Sequence, residues 1–327
     1  MIISVVVPVR NEEDSISALL EALLTQTLPP NEIVIVDGGS SDRTADIINT
    51  YASNHSQIHL IREANALPGK GRNVGATFAS NAWLAFTDAG VVPAEDWLAQ
   101  LADAALHDPA SDVVYGCWEP VTDSFFKECA AIAYAKVPTK AVDKRFIESR
   151  AVFSSLMRRS VWQAVNGFPE NLRSAEDILF MKRIDDAGFH VAYAPHAVVR
   201  WTMQPTWWRT FRRFVTYSRH NMRAGLWRQW QAAALARYAA LLVCALVLIM
   251  LTRWWPIVVA MLLLIMMLAR AIAALWRSRD VYPSTILGSV SRVVMLVPML
   301  TMIDVAMFLG VLAWLVKDSW ADKEAPV

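Results

Sequence analysis

The sequence predicts an α/β domain over residues 1–205, an amphipathic interfacial helix over 206–230 and a transmembrane region over 231–327. Three observations carry this prediction. Short β-branched runs alternate with amphipathic segments up to about residue 200. Beyond Ala232 the chain is mostly apolar, which lifts the hydrophobic share of the 327 residues to 55% and the mean hydropathy to +0.31. That exceeds the level of an ordinary soluble enzyme. Charge is also unevenly placed: the whole chain carries +1, yet residues 187–279 hold twelve arginines and no acid, and residues 1–186 carry −9.

Strand-like runs fall at Ile2–Val9, Glu32–Val36, Ile58–Ile61, Trp83–Thr87 and Asp112–Tyr115. The run Ile33–Val36 is uninterrupted and β-branched, as suits a strand buried on both faces. Helical patterns lie between them at Asp14–Thr25, Asp42–Tyr51, Gly71–Ser80 and Ala94–Leu106. In the first, Leu19, Leu20, Leu23 and Leu24 share one face. Ser41 or Asp42 is the expected N-cap of the second. This alternation points to a sheet with helices on both faces.

From Thr206 to Trp230 the texture changes. Trp207, Phe211, Phe214, Val215, Met222 and Leu226 fall near one helical face, and Arg209, Arg212, Arg213, Arg219 and Arg223 lie largely off it. Tryptophan with arginine on an amphipathic helix marks an interfacial segment; a basic helix packed on the soluble domain is the plainer reading. Candidate spans follow at about 235–251, 256–276 and 293–316, each near the ~20 residues needed to cross a bilayer. The first is short, and Pro298 threatens the continuity of the third. Asp304, inside that third segment, is expected to pair with Arg270 or Arg292 or to be protonated. Arg277, Arg279 and Arg292 place the second connection on the cytoplasmic side, so three crossings would leave the carboxyl terminus outside.

An acidic globular part joined to an arginine-rich apolar part argues against nucleic acid as partner and suits a domain held against anionic lipid. The run "MIISVVVPV" is too short for a signal peptide and lacks a basic leader, so the amino terminus is expected in the cytoplasm. Cys117, Cys129 and Cys244 show no metal or disulfide spacing.

Several loops carry chemistry. "EIVIVDGGSSDRT", Glu32–Thr44, ends a buried strand in Asp37, two glycines and a helix start. Such a loop either caps its helix or binds a nucleotide at the strand's carboxyl end. "VVVPVRNEE" supplies Pro8, Arg10, Asn11 and Glu12. "GKGRNVGA" places Lys70, Arg72 and Asn73 before a helix, "LAFTDAG" ends a strand in Asp88, and "SAEDILFMKRIDDAGF" opens a helix with Glu176 and Asp177. By themselves two acids at a helix start simply oppose the dipole.

In this order the motifs resemble family 2 glycosyltransferases of the GT-A fold, a Rossmann-like arrangement, over roughly residues 1–205. The resemblance implies an inverting, hexosyltransferase-type enzyme that uses a nucleotide-diphosphate sugar. It implies nucleotide-sugar contacts at Pro8, Arg10, Glu12, Asp37, Gly39, Arg72 and Asp88. Asp37 would meet the base or ribose, and Arg72 the diphosphate. Asp88 matches the first acid of the family's DxD signature, which holds Mg²⁺ or Mn²⁺ against the diphosphate. The second acid is replaced by Gly90. His196, in "YAPHAVVRW", is either a structural histidine or a late metal ligand. Asp177 matches the general base, which takes the acceptor hydroxyl's proton, with Glu176 in support.

The expected protein is thus a multi-pass protein of the inner (plasma) membrane with a cytoplasmic catalytic domain, acting in the cell envelope on a lipid or glycan acceptor. The sequence leaves room for a homo-oligomer. Its rivals are a nucleotide-sugar-binding scaffold without turnover and a transporter or flippase subunit.

Overall fold

The computed structural model describes residues 1–135 and 150–318; positions 319–327 of the expected transmembrane region lie outside it. The described residues fall into two units, one of residues 1–121 and 150–202, the other of residues 122–135 and 203–318.

In the first unit eight strands form one mixed sheet. They are β1 (Ile3–Val9), β2 (Glu32–Asp37), β3 (Ile58–Arg62), β4 (Trp83–Phe86), β5 (Val91–Pro93), β6 (Val113–Val121), β7 (Ser155–Arg158) and β8 (Val191–Thr202). Their spatial order is β3-β2-β1-β4-β7-β6-β8-β5. β1 pairs in parallel with both β2 and β4, while β7 and β5 run against their neighbours. Every residue of β2 is buried, as its unbroken apolar run predicts.

Helices α1 (Ile16–Leu24), α2 (Thr44–Asn54), α3 (Pro68–Phe78) and α4 (Trp97–His107) connect the early strands. The helix expected from Asp42 begins at Thr44, because Asp42 Oδ1 accepts from the Thr44 N–H at 3.0 Å and holds the chain in a turn first. α3 opens with Pro68, whose fixed φ suits a first helical position. It presses its glycines on the sheet: a Cβ on Gly75 would come within 2.5 Å of Val6 Cγ1. This close approach carries the neighbouring Arg72 to the strand ends. α6 (Arg159–Ala164) and α7 (Glu176–Asp186) are further described helices of this unit.

The second unit contains α5 (Phe125–Tyr134), α8 (Trp207–Arg223), α9 (Trp227–Trp230), α10 (Ala232–Leu251), α11 (Trp255–Arg277) and α12 (Ile286–Lys317). α5 sets Phe126 edge-to-face with Trp207 and Tyr134 edge-to-face with Phe214, with ring centroids 5.3 and 5.0 Å apart. Trp208 and Trp230 of the expected interfacial segment are 63% and 52% exposed, and the segment turns at Gly225, whose φ is +70°. α10, α11 and α12 are long and apolar enough to cross a membrane, with mean hydropathies of 2.4, 2.6 and 2.2. Pro298 does not break α12, which continues through it. Its missing N–H removes one bond from a ladder whose other groups have no water to turn to in apolar surroundings. Asp304 takes Arg270 as its partner, while Arg292 binds Glu128 and the Tyr282 carbonyl.

Candidate active site

The carboxyl ends of β1, β2 and β4 meet where the strand order reverses, the place at which open α/β sheets receive ligands. Two clusters gather there.

The first surrounds Asp37, the last residue of β2, which is 2% exposed. Its Oδ1 accepts from Ser40 N–H at 2.9 Å and Ser40 Oγ at 2.6 Å. Ser40 Oγ also accepts from Asn11 N–H at 2.8 Å, and Asn11 Oδ1 accepts from Ser41 N–H at 2.8 Å. The loops after β1 and β2 are thereby laced together. A Cβ on Gly38 would stand 2.6 Å from the Ala66 carbonyl, and Gly39 has φ +83°, so both glycines are required by backbone geometry. Pro8 is half-buried in register with Val36, and Arg10 is exposed just beyond β1. Glu12 is half-buried: its Oε2 accepts from Ser15 Oγ at 2.5 Å, and its N–H donates to Thr44 Oγ1 at 2.8 Å.

The second cluster is built on Arg72, 3% exposed. Its Nη2 donates to Asp88 Oδ1 at 2.7 Å and its Nη1 to Glu176 Oε1 at 2.8 Å. Its guanidinium carbon lies 5.4 Å from the centre of the Phe168 ring. Arg72 Nε and Glu176 Oε2 are buried without a hydrogen-bond partner. Burial opposes the charge of Arg72, but Asp88 and Glu176 raise its pKa. Burial pushes the Glu176 carboxyl up to about 7, helped by the charge of Asp177 and resisted by Arg72. The Asp177 carboxyl is also pushed up by burial, with Arg72 and the Ile178 N–H opposing and Asp88 adding. Taken as a whole residue, backbone included, Asp177 is half-buried and Glu176 buried. Asp177 Oδ1 accepts from the Ile178 N–H at 2.8 Å.

Ala175, immediately before the pair, has φ 72°. Non-glycine residues rarely adopt this region, and where they do the surroundings impose it.

Asp88 is half-buried, less so than Arg72 or Glu176, its side chain 34% accessible. A Cβ at Gly90 would meet nothing within 4 Å, so crowding does not explain the missing second acid. His196 is exposed on β8 in the irregular stretch opposite Gly116, between the Tyr115–Tyr193 and Cys117–Val198 pairs. Among the described residues no three His, Cys, Asp or Glu side chains are grouped to hold a metal. Asp88 therefore stands as a single carboxylate at the edge of the site, a donor that suits a hard cation shared with substrate phosphates.

Residues 4–163 match the family model described as Glycosyl transferase family 2. This match identifies residues 4–163 as a glycosyl transferase family 2 domain. Glycosyltransferase AglE of Haloferax volcanii is 30% identical over 203 residues, which cover 60% of this chain and 65% of AglE. The crystal structure of Staphylococcus aureus TarS 1–349 in complex with UDP-GlcNAc matches with a TM-score of 0.53 and 25% identity, covering 63% of this chain and 60% of that one. The chain thus spans under two thirds of these relatives' lengths. Mannosyltransferase PcManGT of Pyrobaculum calidifontis, in complex with GDP-Man and Mn²⁺, matches in fold with a TM-score of 0.56 at 18% identity, over 97% of this chain and 88% of that one.

In this family 2 domain, three supports escape a reading of motifs. Ser40 fixes Asp37. Phe168 lies under Arg72 and stacks on Phe180 with centroids 3.7 Å apart. Asn73 clamps the loop that leads to α7: its Nδ2 donates to the Phe168 carbonyl and Glu170 Oε1, both at 2.9 Å, and its Oδ1 accepts from Phe168 N–H at 2.8 Å. The one sequence signal for that loop is its Asn166-Gly167 pair, a turn dipeptide, and both residues have positive φ, 57° and 63°.

Proposed function

We propose that the chain is an inverting glycosyltransferase that moves a sugar from a nucleotide-diphosphate sugar to a membrane-associated lipid or glycan acceptor. The observation that carries this reading is Arg72, which joins Asp88 to Glu176 beside Asp177 at the strand ends. Asp37, with Pro8, Arg10, Glu12 and Gly39 around it, would hold the nucleoside. Asp88 would hold Mg²⁺ or Mn²⁺ with the diphosphate, and the cation would stabilise the leaving nucleoside diphosphate. His196 is kept as a further donor from β8.

Asp177 is the base in this reading because the Glu176 carboxylate is taken up by Arg72, while that of Asp177 accepts from the adjacent Ile178 N–H. An inverting displacement needs a carboxylate opposite the leaving group, to take the acceptor hydroxyl's proton as the bond forms. Glu176 is committed to Arg72 and acts as a positioning residue. Arg72 in turn holds Asp88 in place. The apolar helices would anchor the domain at the cytoplasmic face of the inner membrane, where nucleotide sugars are available.

A panel of nucleotide-diphosphate sugars tests this, by thermal shift with and without Mn²⁺ and by transfer to membrane extracts. A donor should raise the apparent midpoint by mass action and release its nucleoside diphosphate in the presence of acceptor. Binding without release or transfer would favour the non-catalytic scaffold. No shift with any donor would sink the enzyme reading.

A further inference from the structure

We propose that only α10 and α11 cross the bilayer, and that α12 lies along the same leaflet surface as α8, leaving the carboxyl terminus on the side of the catalytic domain. The proposal rests on the membrane reading above and changes the three-crossing topology expected from length and hydropathy.

The first observation is what flanks α12. Near its amino end, Arg292 Nη2 lies 2.6 Å from Glu128 Oε1 of α5. α5 has 10 residues and rises about 15 Å, too short to cross. Its chain follows β6 directly, so it stays on the catalytic side. At the other end of α12, Arg219 of α8 binds Asp318 through Nε and Nη2, at 2.6 and 2.7 Å. Between these ends Ser218 Oγ donates to the Met307 carbonyl at 2.7 Å. A Cβ on Gly310 would lie 2.5 Å from Ser218 Cβ and 2.6 Å from the Val215 carbonyl. The amino end of α8 meets α5 through Trp207 and Phe214. The two helices therefore run side by side in the same direction.

α8 cannot pass through hydrocarbon. Its 17 residues include Arg209, Arg212, Arg213, Arg219 and Arg223, and arginine inside a bilayer is costly and rare. Arg292 and Asp318 are about 39 Å apart along α12, more than the ~30 Å hydrocarbon core. An upright α12 would put Asp318 on the far face and draw the Arg219 end of α8 through the membrane with it. A helix lying in the leaflet avoids this.

The second observation is depth. Asp304 accepts from Tyr238 Oη at 2.7 Å and from both Nη atoms of Arg270. Tyr238 is about 9 Å from the start of α10, and Arg270 about 10 Å from the end of α11. Both of those helix ends face the catalytic side. Asp304, by contrast, is about 27 Å from the start of α12. An upright α12 would carry it into the far half of the bilayer, away from both partners. Inclined along the surface, the same residue meets them near the headgroup boundary.

α12 is also two-sided. Leu287, Val294 and Val316 are 79%, 68% and 68% exposed, while Arg292, Asp304 and Asp318 are buried. The exposed apolar face fits the acyl layer, and the arginines of α8 beside it fit anionic headgroups.

Membrane-impermeant thiol labelling of the full chain in right-side-out and inverted vesicles decides the matter, with Arg253→Cys, Asp280→Cys and Lys317→Cys as separate variants and a carboxyl-terminal reporter fusion as a second readout. The expected result is labelling of Asp280→Cys and Lys317→Cys from the cytoplasmic side and of Arg253→Cys from the other. Labelling of Lys317→Cys from the side opposite Asp280→Cys, with the fusion reporting the same, overturns the proposal and restores three crossings. Labelling of Arg253→Cys from the cytoplasmic side instead removes α10 and α11 from the bilayer, and overturns the membrane reading and this proposal together.

Discussion

Arg72 Nη1 lies 2.8 Å from Glu176 Oε1, and the two side chains are only 4% and 6% exposed. A buried pair of this kind is costly to break from one side, because the survivor keeps its charge without compensation. Arg72→Ala should therefore lower stability by about 3 kcal/mol, read as a fall in the apparent unfolding midpoint of the detergent-solubilised protein. Combining it with Glu176→Gln should recover part of the loss, since contacting residues are not additive. Strict additivity of the two substitutions would show that the pair is not energetically coupled.

Asp177→Asn should leave donor binding close to wild type and reduce transfer to a hydroxyl acceptor by ~10²–10⁴. The pH profile is a second readout. Asp177 must be ionised to accept a proton, and burial raises its pKa from 3.8. Activity should accordingly fall as pH falls through that raised pKa, at a higher pH than an exposed aspartate would dictate. Near-wild-type turnover in the mutant would remove Asp177 as base, or indicate an acceptor such as a phosphate that needs none.

Asp37→Ala and Asp88→Ala should differ in kind. The first should weaken nucleoside diphosphate binding with or without Mn²⁺; the second should chiefly remove the metal-dependent part. Calorimetry across a Mn²⁺ titration separates them. Equal, metal-independent losses would show that Asp88 is not a ligand.

The open space at Gly90 makes a gain of function testable. Gly90→Asp restores the acid that the family signature carries, without a steric penalty at Cβ. It should tighten Mn²⁺-dependent donor binding by up to about tenfold, roughly 1.4 kcal/mol. Unchanged metal dependence would place position 90 away from the cation.

What the sequence discloses follows from how far apart the interacting residues are. β1, β2 and β4 are legible because each is short and mostly apolar. β7, Ser155–Arg158, has no β-branched residue, β5 is three residues ending in Pro93, and β8 is interrupted by Pro195. None of these three has a local signature. The acids of the site are legible as strand-end and helix-start residues. Their wiring is not: Arg72 meets Glu176 and Asn73 meets Phe168 only after the sheet has formed. The same holds for Glu128 and Arg292, whose pairing no local pattern announces.

Ala175 holds φ 72° at the step that launches Glu176 and Asp177. A left-handed alanine gives up roughly 1–2 kcal/mol relative to relaxed backbone, which glycine at the same position would largely recover. The acids are therefore presented on a loaded spring. Release of that one turn would swing both carboxylates from Arg72 together, so the site should soften on heating before the sheet beneath it does. Ala175→Gly should make the protein tougher to unfold and the acids less sharply aimed, a rise in melting midpoint accompanied by a fall in turnover.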